Sequence, residues 1–141
     1  MQVRGLLAAL VVCPILFFSC NKKDDNSSPV VDTGVPPKST WRITLFSEHG
    51  ENNTGNFSNY TFTFNNDGTA VATKSGVAKN GTWSFSNSNT RFNINFGEKS
   101  DANKPLGELT DDWVIVSVVS NRITLKDDND NSMEQLVFTS N

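Results

Sequence analysis

From Trp41 to the C-terminus, large apolar residues recur at every second position in short runs. Trp41, Ile43 and Leu45 alternate with Arg42 and Thr44, and Tyr60, Phe62 and Phe64 alternate with Thr61 and Thr63. Trp83 and Phe85 flank Ser84, while Phe92, Ile94 and Phe96 alternate with Asn93 and Asn95. Ile123 and Leu125 flank Thr124, and Leu136 and Phe138 flank Val137. A period of two sends one set of side chains to a buried face and the other to water, so these runs predict half-buried β-strands. Residues 114–119 are nearly continuous apolar, which predicts a strand covered on both faces or placed centrally.

Between the runs lie residues suited to turns. Asn65-Asn66-Asp67-Gly68 and Asn80-Gly81 tolerate the positive φ that tight hairpins require, and Asn87-Ser88-Asn89 and Ser120-Asn121 are weaker turn signals. Residues 127–132 form a longer polar connection. The pattern predicts about eight strands, near 40–48, 58–65, 69–75, 80–86, 90–97, 109–119, 121–127 and 133–139. Residues 49–57 and 98–108 read as loops, with room for one helical turn over 101–106. The fold class is all-β: a small up-and-down antiparallel barrel of about eight strands, with a β-sandwich as the alternative. Closure into a barrel would remove exposed sheet edges.

The predicted inward set is bulky: Trp41, Tyr60, Phe62, Phe64, Trp83, Phe85, Phe92, Phe96, Trp113 and Phe138. Each aromatic buries ~150–250 Å², and an eight-stranded barrel has space for packed side chains or one small ligand. The interior is therefore expected to be largely filled, with any cavity at one mouth. If a small apolar ligand enters, its candidate contacts are Trp41, Tyr60, Phe62, Trp83, Phe92 and Trp113. Phe57 and Tyr60, beside an Asn-rich loop, are the best candidates for an exposed aromatic platform.

The N-terminus has a different character. Arg4 precedes an apolar stretch from Gly5 to Phe18, then Ser19 and Cys20, and Asn21-Lys22-Lys23-Asp24-Asp25 follow. The stretch contains Pro14 and is shorter than the ~20 residues a spanning helix needs. It has the anatomy of a secretory signal. With its terminal small residue and Cys20 it resembles a bacterial lipobox, although a plain signal with a chance cysteine has the same outline. That resemblance implies cleavage before Cys20 and lipid on its thiol and new amine. The charges at 22–25 resemble the export signal of surface lipoproteins in Bacteroidota-type bacteria; a solvated tether is the plainer reading. Three segments follow: 1–19 as signal peptide, 20–38 as lipidated Cys and flexible linker rich in Asn, Asp, Ser and Pro, and 39–141 as the β domain.

Taken together, Trp41 at the first strand, the hairpin Phe62-Thr63-Phe64-Asn65-Asn66-Asp67-Gly68-Thr69, Gly81-Thr82-Trp83-Ser84-Phe85, Trp113-Val114-Ile115, Asn121-Arg122-Ile123-Thr124-Leu125 and Leu136-Val137-Phe138 resemble the lipocalin-like domain of Bacteroidota lipoproteins. The resemblance implies a small β-barrel in a lipid-anchored, outer-membrane, cell-surface protein. By analogy it implies binding of a small apolar molecule. Ser39-Thr40 replaces the Gly-x before the first Trp of lipocalins proper.

Function classes are limited further by what the chain carries. Its net charge is −3, without a basic cluster, which argues against nucleic acid as partner and against electrostatic docking on anionic lipid. Of its 2 cysteines, Cys13 lies in the expected signal and Cys20 is the lipid site that the resemblance implies, so the domain at 39–141 has no disulfide and no thiolate metal site. His49 is the sole histidine and falls in a predicted loop, leaving no base for a nucleophile. Asp111 and Asp112 are adjacent on a strand and face opposite sides, so they do not share a proton. Asp127-Asp128-Asn129-Asp130-Asn131-Ser132 with Glu134 is rich in oxygen ligands, but Met133 stands where an EF-hand loop needs Gly. The sequence thus predicts no enzyme, no cofactor and no metal site. It predicts a lipid-anchored module that holds a small apolar ligand. The alternative is a surface interaction module that contacts a protein or glycan through its loops.

Overall fold

The computed structural model describes residues 30–31, 39–129 and 131–140; the apolar N-terminal run, Cys20 and Asp130 lie outside them. The strands are β1 (Val30–Val31), β2 (Trp41–Glu48), β3 (Glu51–Asn52), β4 (Tyr60–Phe64), β5 (Thr69–Lys74), β6 (Val77–Ser86), β7 (Arg91–Asn95), β8 (Asp111–Val119), β9 (Arg122–Lys126) and β10 (Gln135–Ser140). Three short 3₁₀ turns, Thr54–Phe57, Asp101–Asn103 and Leu106–Leu109, are the helical content of the described residues. From β4 onward each strand pairs antiparallel with the next, β2 meets β4, and β10 returns to β2. The result is the closed eight-stranded up-and-down barrel.

The alternating apolar residues fill this barrel. Trp41, Phe62, Phe64, Phe92 and Phe138 are fully buried, with Trp113 beside them. Phe64 is the hub. Its ring meets Phe92 and Phe138 edge-on, each at 5.3 Å, and Trp83 at 5.8 Å. Phe62 meets Phe138 edge-on at 5.3 Å. Each such pair contributes ~0.5–1.5 kcal/mol beyond the area it buries. Tyr60 and Phe85 are only partly buried and pack on the margin of the core.

The two ends of the barrel differ. One end carries tight connections: 65–68 between β4 and β5, 87–90 between β6 and β7, and 120–121 between β8 and β9. Trp41 begins and Ser140 ends at that same end, paired with each other. The other end carries 49–59, 75–76, 96–110 and 127–134. Tight turns follow the sequence there as expected at 65–68: Asp67 accepts hydrogen bonds from the Thr69 N–H (2.9 Å) and hydroxyl (2.7 Å), and Gly68 takes φ +85°. At 87–89 three consecutive non-glycine residues adopt positive φ.

Three expectations are corrected. Asn80-Gly81 is not a turn. Gly81 sits inside β6 opposite Ala70, and the hairpin closes instead at Ser75 (φ +50°) and Gly76 (φ +80°) between the paired Lys74 and Val77. Residues 114–119 are not covered on both faces. Val116 is 46% exposed at a register irregularity between Ile115 and Ser117, where an extra residue bulges outward. Phe57 is no exposed platform: it is 3% exposed and meets Phe46 edge-on at 5.2 Å. Within 20–38, the two described residues Val30 and Val31 lie parallel to β8 at Ser117 and Val118.

Two seams explain the last two observations. β2 and β4 share register only at Trp41 and Phe62, so they part toward the loop end. The backbone N–H of Phe46 then donates to Thr54 Oγ1 (2.9 Å), and its carbonyl accepts from Asn53 N–H (2.8 Å). The 53–57 segment thereby satisfies strand groups that β4 leaves behind, and it carries Phe57 into the seam. Across the barrel, β7 pairs with β8 only from Asp111 to Val114, and β1 lies against β8 beyond that stretch.

Two tryptophans give a direct test of polar satisfaction in this core. Trp113 Nε1 donates to the Leu109 carbonyl at 3.0 Å, whereas Trp41 Nε1 is buried without a hydrogen-bond partner among the described residues. An unmet buried donor costs ~1–3 kcal/mol, and Trp→Phe removes it at position 41 but removes a made bond at 113. Trp41→Phe is expected to be milder than Trp113→Phe by about 1–3 kcal/mol in urea unfolding. The reverse order would contradict this account.

Candidate functional site

The loop end carries two open grooves that meet at Lys104. The first, about 400 Å³, runs between the end of β2 and the 104–108 segment. Phe46, Phe57 and Pro105 supply apolar wall, and Glu48, Glu108 and Lys104 supply charge. The second, about 450 Å³, lies between the β5–β6 turn and 102–106. Its apolar surface comes from Tyr60, Ala72, Val77 and Leu106, and its charge comes from Lys74, Lys79 and Lys104, with no carboxylate among its lining residues.

Local structure holds these lysines in place. The Ser75-Gly76 turn sets Lys74 and Val77 opposite each other, and Lys74 Nζ lies 4.9 Å over the Tyr60 ring. Lys79 donates to Asn103 Oδ1. Asn103 is itself fixed, because its Nδ2 donates to the carbonyls of Phe96 (3.2 Å) and Glu98 (2.8 Å). Lys104 pairs with Asp101 at 2.9 Å and more loosely with Glu108 at 3.9 Å. The hydrogen bond that Lys104 donates to Asp101, and the nearby carboxylates, raise the Lys104 pKa, so it stays a cation.

Of the six candidate interior contacts, Tyr60 alone borders a groove. Trp41, Phe62, Trp83, Phe92 and Trp113 belong to the close-packed core. Trp83 also anchors the opposite end, where its Nε1 donates to the Asn65 carbonyl at 2.8 Å. Cys20, the candidate lipid site, lies outside the described residues.

The acidic groups that the sequence singles out are engaged by Lys99, Arg91 and Ser132. Asp111 pairs with Lys99 at 2.8 Å, while Asp112 (3.9 Å) and Asp128 (3.0 Å) flank Arg91. Asp127 accepts from the Ser132 hydroxyl at 2.7 Å, and that bond lowers its pKa. The 127–134 loop therefore does not aim Asp127 and Asp128 at a common point.

A different cluster forms instead. Glu48, His49 and Glu134 bring one ligand atom each to within 4.8 Å of one another. Sequence reading misses it because Glu48 ends a strand while His49 falls in the loop beyond it, and Glu134 comes from the other end of the domain. The register of Gln135 opposite Ser47 brings the loops together, and His49 adopts φ +52°. The His49 N–H donates to the Ser132 carbonyl at 2.8 Å. Burial raises the Glu134 pKa, Lys99 opposes the rise, and the charges of Asp127, Glu48 and Asp111 add to it.

No family model matches the chain, and no curated protein matches it. Among solved structures, a DUF4847 family protein from Bacteroides vulgatus superposes with a TM-score of 0.52 at 18% identity, over 74% of this chain and 93% of that one. At this identity the likeness is one of fold. A candidate lipoprotein from Streptococcus pneumoniae aligns over 80% of this chain and 100% of its own, at 19% identity and a TM-score of 0.38, too loose a superposition to carry an argument.

Proposed function

We propose that this chain is a lipid-anchored protein of the bacterial outer membrane, exposed at the cell surface, whose non-catalytic lipocalin-like barrel holds a small amphiphile at its loop end. The ligand has an apolar body and an acidic group. The observation that carries the reading is the second groove, where Lys74, Lys79 and Lys104 surround an apolar surface of Tyr60, Ala72, Val77 and Leu106. An apolar surface with a few convergent cations suits an anionic amphiphile better than a neutral hydrocarbon. The filled core favours a site at the rim over one inside the barrel.

The anchor rests on the N-terminal resemblance. Absence of catalysis is supported by the separation of Asp111 and Asp112, which pair with different cations, Lys99 and Arg91.

Binding is tested with an anionic apolar dye, anilinonaphthalene sulfonate, and a neutral one, Nile red. The expected result is saturable binding of the anionic dye, weakened at least about tenfold in a Lys74→Glu, Lys79→Glu variant and weakened by salt. Unchanged binding in that variant, or preference for the neutral dye, would overturn the reading. The anchor is tested separately: Cys20→Ser is expected to abolish lipid labelling and membrane retention, and unchanged retention would refute it.

A further inference from the structure

We infer that Glu48, His49 and Glu134 form a binding site for one divalent first-row transition metal, with zinc as the best-suited ion, at the loop end of the barrel. The first support is convergence. An imidazole nitrogen and two carboxylate oxygens lie within 4.8 Å of one another. Zinc takes His nitrogen at ~2.0–2.1 Å and carboxylate oxygen at ~2.0–2.2 Å, which sets tetrahedral ligands about 3.4 Å apart. Rotamer adjustment of two flexible Glu side chains spans the difference.

The second support is donor chemistry. Imidazole suits zinc, copper, nickel and cobalt, whereas calcium and magnesium favour all-oxygen shells. Two carboxylates with a neutral imidazole balance the charge of a divalent ion. Three protein ligands leave a fourth position for water, the pattern of an open zinc site.

The third support is framework. The ligands come from the end of β2 with the turn after it and from the loop before β10, which are held together without any ion: β2 pairs with β10 up to Ser47 and Gln135, and the His49 N–H donates to the Ser132 carbonyl. The loop bearing Glu134 is braced further by Ser132 Oγ, which lies 2.7 Å from both the Asp127 carboxylate and the Asn129 carbonyl and gives its one proton to either, and by Asp127 N–H donating to the Glu134 carbonyl (3.1 Å). A site already assembled gives up little chain entropy on binding. Glu48 also forms part of the wall of the first groove, so the ion would sit at that groove's margin. The inference is independent of the amphiphile reading, which uses the second groove.

The test is calorimetric titration of the full chain with zinc chloride, in detergent and carrying Cys13→Ser and Cys20→Ser so that no thiol competes. One zinc per chain and a raised Tm are expected, with calcium chloride at the same concentration giving neither. His49→Asn removes the imidazole yet tolerates the left-handed backbone at that position, and it is expected to weaken zinc at least about tenfold, as is Glu134→Gln. Cobalt in place of zinc is expected to give visible bands that His49→Asn removes. No zinc heat, equal response to calcium, or unchanged zinc affinity in His49→Asn would each overturn the site.

Discussion

Phe64→Ala is expected to cost the barrel about 3–5 kcal/mol, the range for truncating a buried aromatic. Phe64 is fully buried and its ring is shared by Trp83, Phe92 and Phe138, which arrive on three other strands. Truncation leaves a hole that these neighbours cannot close together, because each is held by its own strand of the hydrogen-bonded sheet. Small domains have only ~5–15 kcal/mol of stability in all, so the variant is expected to lose more than about 12 °C of Tm, or not to fold at 37 °C. Phe85→Ala is the control. Phe85 touches Trp83 and Phe92 as well but is only partly buried, and it is expected to cost less than half as much. Equal losses in urea unfolding would show that the packing does not centre on Phe64.

Gly81→Ala is the second large effect, and it comes from adding atoms. A Cβ at position 81 would stand 2.3 Å from the Asn95 carbonyl oxygen and 2.6 Å from Phe96 Cδ1. The carbonyl is backbone and cannot swing aside, so β6 and β7 must separate near the pair of Thr82 with Asn95. Overpacking costs ~1–3 kcal/mol where side chains can yield. Here the loss is expected at or above the top of that range. Hydrogen exchange should show faster opening of β6 and β7 than of β9 and β10. Gly76→Ala is the informative contrast: nothing lies within 4 Å of its Cβ position, and its cost comes from φ +80° alone. If Gly81→Ala proved as mild as Gly76→Ala, close approach would not be the reason for glycine in β6.

These two glycines mark the boundary of what residue identity conveys. A glycine after asparagine signals a turn, and Asn80-Gly81 satisfies that signal as well as Asp67-Gly68 does. Only pairing separates them. Gly68 needs its positive φ, whereas Gly81 needs a missing side chain because β7 passes too close. Phe57 shows the same limit from the apolar side. Its setting among Asn and Gly reads as surface, yet the divergence of β2 from β4 opens a seam that a large ring fills.

Closure into a barrel rather than a sandwich was decided by the pairing of β10 with β2, but the period of two, the bulk of the alternating residues and the turn at 65–68 were sufficient to indicate about eight strands and their inward faces. Those properties arise between residues at most a few positions apart, so a linear reading contains them. The grooves and the meeting of Glu48, His49 and Glu134 were decided by tertiary structure alone. They depend on which loops share one end of the barrel, and on the register that sets Gln135 opposite Ser47. Such proximities follow from closure of the whole sheet, a condition that no local stretch of residues encodes.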